Sequence, residues 1–160
     1  MIEMRVNGLA IDSSSKLPVV ILSDMEEKRF LPIWIGIYEA DAILVALEHI
    51  KVPRPMTHDL IAIMLETLNA EIDRVVITEI KNNTFFAKIY IILNEKEYEI
   101  DSRPSDAIAV ALRLDAPIYV TENVILQATI VDKAKYEKEM KEFKEFLKNI
   151  KPSDFLNYKG

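Results

Sequence analysis

Two short polar stretches concentrate the residue types that could do chemistry. The first is Pro53-Arg54-Pro55-Met56-Thr57-His58-Asp59. An arginine held between two prolines precedes a helix start, where unpaired N–H groups and the positive dipole end favour an anion. With Thr57, His58 and Asp59 at that start, the segment reads as a receptor for phosphate or another anion. The same residues suit plain helix initiation, with Thr57 as cap and Asp59 answering the dipole. The second stretch is Asp101-Ser102-Arg103-Pro104-Ser105-Asp106. Its two carboxylates, five residues apart with Ser102, Arg103 and Ser105 between them, could hold a divalent ion against a phosphodiester for metal-assisted hydrolysis. The plainer reading puts Pro104 in the first helical turn, Asp106 at the dipole and Asp101 in a pair with Arg103. Glu39 and Asp41 open a further helix after Gly36, where acidic residues also suit the dipole.

The absent residues narrow the field. Without cysteine there is no disulfide, thiolate nucleophile, iron–sulfur cluster or cysteine-based zinc site. His49 and His58 are the only histidines, so one chain cannot build a three-histidine centre. A metal must then rest largely on carboxylates, which points to magnesium or manganese. Gly8, Gly36 and Gly160 are the only glycines, too few for a dinucleotide fingerprint or a P-loop, and no organic cofactor is expected. No serine lies in a nucleophile elbow.

These groups must be positioned by a folded chain. Half of the 160 residues are hydrophobic and 29% are charged, a balance that excludes a disordered chain. No apolar run approaches the roughly 18–20 residues of a membrane helix, and the amino terminus lacks signal-peptide order, so the expected location is the cytoplasm. Abundant Ile, Lys and Glu with no Cys resemble the composition of proteins from hot environments.

Alternation predicts strands at residues 2–12, 17–23 and 29–35, then a helix over 37–50 and a second helix from Thr57 with Leu60, Ile61, Met64, Leu65 and Leu68 on one side. Three more strands follow at 71–81, 84–93 and 96–101, joined by Asn82-Asn83 and Asn94-Glu95 turns, then a helix to Asp115 and a short peripheral strand at 118–121. Asp41-Ala42-Ile43-Leu44-Val45-Ala46-Leu47 and Asp106-Ala107-Ile108-Ala109-Val110-Ala111-Leu112 agree at six of seven positions, 65 residues apart. The expected fold class is therefore α+β: duplicated strand-strand-strand-helix units forming a mostly antiparallel sheet packed with helices. Such symmetry would bring Glu39, Asp41, Asp101 and Asp106 to one acidic cleft. Trp34 reads as a core or interface residue rather than a base-stacking platform, and His49 as structural.

Residues 133–151 hold seven lysines against four glutamates, whereas residues 1–132 hold 12 basic and 21 acidic residues. Tyr136, Met140, Phe143, Phe146, Leu147 and Ile150 form a stripe, which predicts an amphipathic helix over 133–150. The expected organisation is a domain at 1–130 and a lysine-rich helical extension at 131–160.

Leu31-Pro32-Ile33-Trp34-Ile35-Gly36 with Glu39-Ala40, then Pro53-Arg54-Pro55 with Thr57-His58-Asp59-Leu60, then Asp101 to Ile108 followed by Ala116-Pro117-Ile118, together resemble the bifunctional nuclease domain family. The resemblance covers about residues 2–127 and implies a small α+β domain that cleaves DNA and RNA. Glu39, Arg54, Thr57, His58, Asp59, Asp101, Ser102, Arg103, Ser105 and Asp106 stand where the family pattern has polar residues. The expected function is phosphodiester hydrolysis. Asp101 and Asp106 would bind the metal, with Glu39 or Asp59 assisting. His58 would be the acid or base, and Arg54 and Arg103 would hold phosphate with Thr57, Ser102 and Ser105. The alternative is a noncatalytic module that binds a small anion or a partner protein. Nucleic acid and further copies of the chain are the expected partners, although the net charge of −6 disfavours indiscriminate nucleic-acid binding.

Overall fold

The computed structural model describes residues 1–128 and, beyond them, Lys138, Lys141, Glu142 and Glu145. Apart from those four helical, exposed residues, the expected carboxy-terminal helix and extension lie outside the described residues. The fold is α+β, with one seven-stranded sheet. Strands β1 (Ile2–Ile11), β2 (Pro18–Asp24) and β3 (Phe30–Trp34) lead into helices α1 (Ile37–Leu47) and α2 (Thr57–Thr67). Strands β4 (Glu71–Lys81), β5 (Thr84–Leu93) and β6 (Lys96–Ser102) lead into α3 (Pro104–Leu114), then β7 (Ile118–Val120) and α4 (Glu122–Ala128). Asn82, Asn83, Asn94 and Glu95 all have positive φ, the geometry that two-residue hairpins need to match strand twist.

The sheet order is β3-β2-β1-β7-β4-β5-β6. Strand β7 is therefore central, not peripheral: it pairs antiparallel with β1 and parallel with β4. Its shortness suggested an edge, but Ile118 and Val120 are buried, and their backbone groups need partners on both sides.

Helix α3 packs on α1 and α2 and lies over β4 and β5. Ala107, Ile108, Ala109, Val110 and Ala111 are all sealed from solvent, and their alanines, with Ala40 and Ala42 of α1, let the two helices come close. The similar heptapeptides thus lie in the two helices that meet. Pro104 occupies the first turn of α3, as expected, and Arg103 is the N-cap.

Helix α2 departs from the expectation. Met56, not Thr57, is its N-cap, and the Met56 N–H donates to Asp59 Oδ2 at 2.9 Å. Only Ala62 is buried, while Leu60, Ile61, Ile63, Met64 and Leu68 are exposed. Helical periodicity specifies an apolar face without specifying what covers it. Leu65 packs against the core, and side-chain ties to α3 hold the start of α2: His58 to Asp106 and Asp59 to Arg113. Trp34 is 50% exposed, so of the core and interface placements expected for it the core placement does not hold.

Candidate functional site

A cleft of about 740 Å³ opens where the starts of α1, α2 and α3 meet the end of β6. Glu39, Asp41, Asp101 and Asp106 all line it, together with Thr57, His58, Ser102 and Arg103. At its centre is Arg103, carried on the N-cap of α3, where extended backbone turns into helix. Its Nε and Nη2 donate to the two oxygens of Asp106 at 2.8 and 3.1 Å, and Nη1 donates to Glu39 Oε1 at 2.9 Å. Three of the five guanidinium N–H donors are thereby used, and the side chain remains 62% exposed.

His58 Nε2 lies 2.8 Å from Asp106 Oδ1 on a ring only 13% exposed. Burial pushes the Asp106 carboxyl up, but hydrogen bonds and charge from Arg103, then His58, outweigh it and hold it below the ordinary carboxylate range. An ionised Asp106 can only accept, so the hydrogen between them sits on His58 Nε2. That leaves Nδ1 as the ring nitrogen free to accept a proton. Asp106 and Glu39 in turn push the Arg103 pKa further above its ordinary value.

Glu39 reaches Arg103 because the chain beneath it is glycine. A Cβ on Gly36 would lie 2.1 Å from Glu39 Oε2, so any other residue there must displace the carboxylate. Asp101 lines the cleft but does not pair with Arg103, which is committed to Asp106 and Glu39. Ser102 Oγ donates to the Arg103 carbonyl at 2.9 Å. Ser105 is buried and faces a neighbouring cleft, and Arg54 is exposed on the proline elbow without an ion pair among the described residues.

Asp59 does not join this group. Its Oδ1 accepts from Arg113 Nε at 2.6 Å, and Arg113 Nη1 donates to the Ala109 carbonyl at 2.8 Å. This pair lines a separate cleft with His49, which leaves α1 in a left-handed conformation. Arg113 carried no sequence signal, because its partner is 54 residues away. Nor did the apolar lining from Ile61, Ile89, Ile91 and Ile100.

Asp101 and Asp106 are hard oxygen donors of the kind magnesium or manganese prefers. As arranged, however, the residues do not fit a resident divalent ion. Asp106 spends both oxygens on Arg103 and His58, and among the described residues no three Asp, Glu or His side chains are grouped to hold a metal.

A family model described as the bifunctional nuclease domain matches residues 20–133. An uncharacterised protein of Mycobacterium tuberculosis (strain ATCC 25618 / H37Rv) is 37% identical over 162 residues, covering 96% of this chain and 97% of that protein. The chain belongs to the bifunctional nuclease domain family. Among its plant relatives, bifunctional nuclease 1 of Oryza sativa subsp. japonica is 30% identical over 116 residues, 71% of this chain and 35% of the rice protein. Bifunctional nuclease 2 of Arabidopsis thaliana is 26% identical over 126 residues, 74% of this chain and 38% of that protein. The aligned part is thus little more than a third of each plant protein. No described helix is long and apolar enough to cross a membrane.

Proposed function

We propose that this member of the family hydrolyses phosphodiester bonds in RNA or DNA at the cleft around Arg103. The observation that carries the reading is the continuous chain His58–Asp106–Arg103–Glu39 on one cleft wall. Arg103 has two N–H donors left and an exposed guanidinium, which suit the non-bridging oxygens of a phosphate. His58, oriented by Asp106, takes a proton from the attacking water through Nδ1 and returns one to the leaving oxygen. Thr57 and Ser102 lie within the same cleft as polar contacts for substrate, and Arg54, exposed on the elbow outside the cleft lining, adds positive charge for a longer strand. A divalent ion at Asp101 and Asp106, which this arrangement does not fit, would supply positive charge only if Arg103 released Asp106.

The apolar lining from Ile61, Ile89, Ile91 and Ile100 favours a second reading, a noncatalytic site for a compact ligand with an anionic head and an apolar body. One assay separates the two. Wild type and His58→Ala, purified identically, are incubated with RNA, single-stranded DNA and duplex DNA in magnesium, manganese or chelator. Hydrolysis by wild type that falls at least 100-fold in His58→Ala supports the nuclease. Equal cleavage by both, or none by either, sinks it.

The exposed apolar face of α2 supports self-association, since monomers rarely leave so many large apolar side chains in one place. Light scattering should give a molar mass above 18.4 kDa that drops on Leu60→Glu/Met64→Glu. A monomeric wild type removes this part of the proposal.

A further inference from the structure

Glu39 and Arg103 also line a second cleft, of about 400 Å³, so Arg103 borders both. Trp34 and Phe85 form the apolar side of this second cleft, with Asn83, Thr84 and Ser105 as its polar groups. Trp34 is the residue in need of explanation. Phe30, Leu31, Pro32 and Ile33 of β3 and the following Ile35 are all buried, yet the largest side chain of the segment is half open to solvent. It is not loose. Its indole Nε1 donates to Asp12 Oδ2 at 2.9 Å, and Asp12 is itself anchored by the Ser14 N–H and hydroxyl through Oδ1. The Trp34 N–H and Ser14 together hold the Asp12 carboxyl well below the usual range, so the bond to the ring is charge-assisted throughout neutral pH.

An aromatic ring clamped by its edge, beside a guanidinium with spare donors, matches what an unpaired nucleotide presents. The base stacks on the ring and its phosphate meets the cation. Stacking accepts any base because every base has a π-face, while Asn83 and Thr84 offer donors and acceptors to base edges. A duplex hides those faces within its stack. We propose that the Trp34 cleft is a base-binding subsite for an unpaired nucleotide next to the phosphate held at Arg103, so that the chain takes single strands in preference to duplexes. This rests on the reading above for the phosphate at Arg103 but not for its hydrolysis.

Trp34 is the only tryptophan of the chain, so its fluorescence reports on the subsite directly. The protein is titrated with octathymidylate, with the same backbone lacking bases, and with a blunt duplex. Saturable quenching by octathymidylate is expected, with at least 10-fold weaker effect from the other two. By anisotropy of a labelled octathymidylate, Trp34→Ala should bind roughly 5- to 150-fold more weakly, the range of one base–aromatic stack. Trp34→Phe should recover most of the loss, which also controls for misfolding. Unchanged fluorescence on binding, equal affinity for the baseless strand, no binding at all, or a lower molar mass of Trp34→Ala that marks the ring as a contact between copies would each overturn the subsite. Quenching without cleavage keeps the subsite and sinks the nuclease. Cleavage with an undisturbed indole does the reverse.

Discussion

Asp106→Asn is expected to lower phosphodiester turnover by about two to four orders of magnitude while leaving the chain folded. The amide nearly matches the carboxylate in size, so the cleft keeps its shape. It nonetheless turns an acceptor-only group into one that presents N–H to Arg103, and it removes the negative charge that holds His58 and Arg103 in register. Single-turnover rates on RNA and DNA, with a thermal melt of each variant, measure this. A loss under about 3-fold would mean that the network is structural only. Asp101→Asn in the same series tells the two sources of positive charge apart. If Arg103 supplies it, the Asp101 variant loses little; if a divalent ion shared with Asp106 does, both variants fall together. The pH sign is fixed by the depressed pKa of Asp106. Its contribution is fully present above the ordinary carboxylate value of 3.8 and is lost as pH falls through the lower folded value, so the network stays intact across neutral and mildly acidic pH.

The largest effect on stability is expected from Asp59→Ala, at about 3 kcal/mol, the low end for breaking a buried pair because Asp59 keeps some solvent contact. Arg113 is 8% exposed, and its Nη2 already lacks a partner among the described residues. Without Asp59 the guanidinium would remain buried with only the Ala109 carbonyl to receive it. Urea midpoints for Asp59→Ala, Arg113→Leu and the double variant make the check. The double variant should recover much of the loss, because an apolar side chain has no charge to strand. Burial raises the Asp59 pKa, but hydrogen bonds from Arg113 and the Met56 N–H and the Arg113 charge outweigh it, so the folded value is depressed. The wild type should therefore lose this stabilisation as pH falls below 3.8 toward the folded value, and Asp59→Ala should show a flatter acid limb. An unchanged midpoint in Asp59→Ala would sink the idea that this pair holds α2 to α3.

These two aspartates show how far the sequence could be read. Asp106 follows a strand end and a proline, which already mark the first turn of a helix, and the structure sets it on one cleft with Glu39, Asp41 and Asp101. Asp59 offered the same local signal, an acidic first turn. Its partner lies in the last turn of another helix, so only tertiary structure decides that it faces Arg113. The exposure of Trp34 is hidden for a related reason: its neighbours are buried on both faces of β3, and no alternation marks where the strand leaves the core. The apolar side of α2 is equally visible in the sequence, but periodicity is the same whether a face meets the chain's own core or stays open.

The central position of β7 ties the fold to the order of synthesis. Strands β1, β2 and β3 leave the ribosome first and can pair locally, but the free edge of β1 has no partner until residues 118–120 appear. At ordinary elongation rates that interval is roughly 5 to 20 s, long compared with hairpin formation. For that time the nascent chain carries an open strand edge of the kind that recruits other chains. Three residues, translated late, close the sheet across both halves.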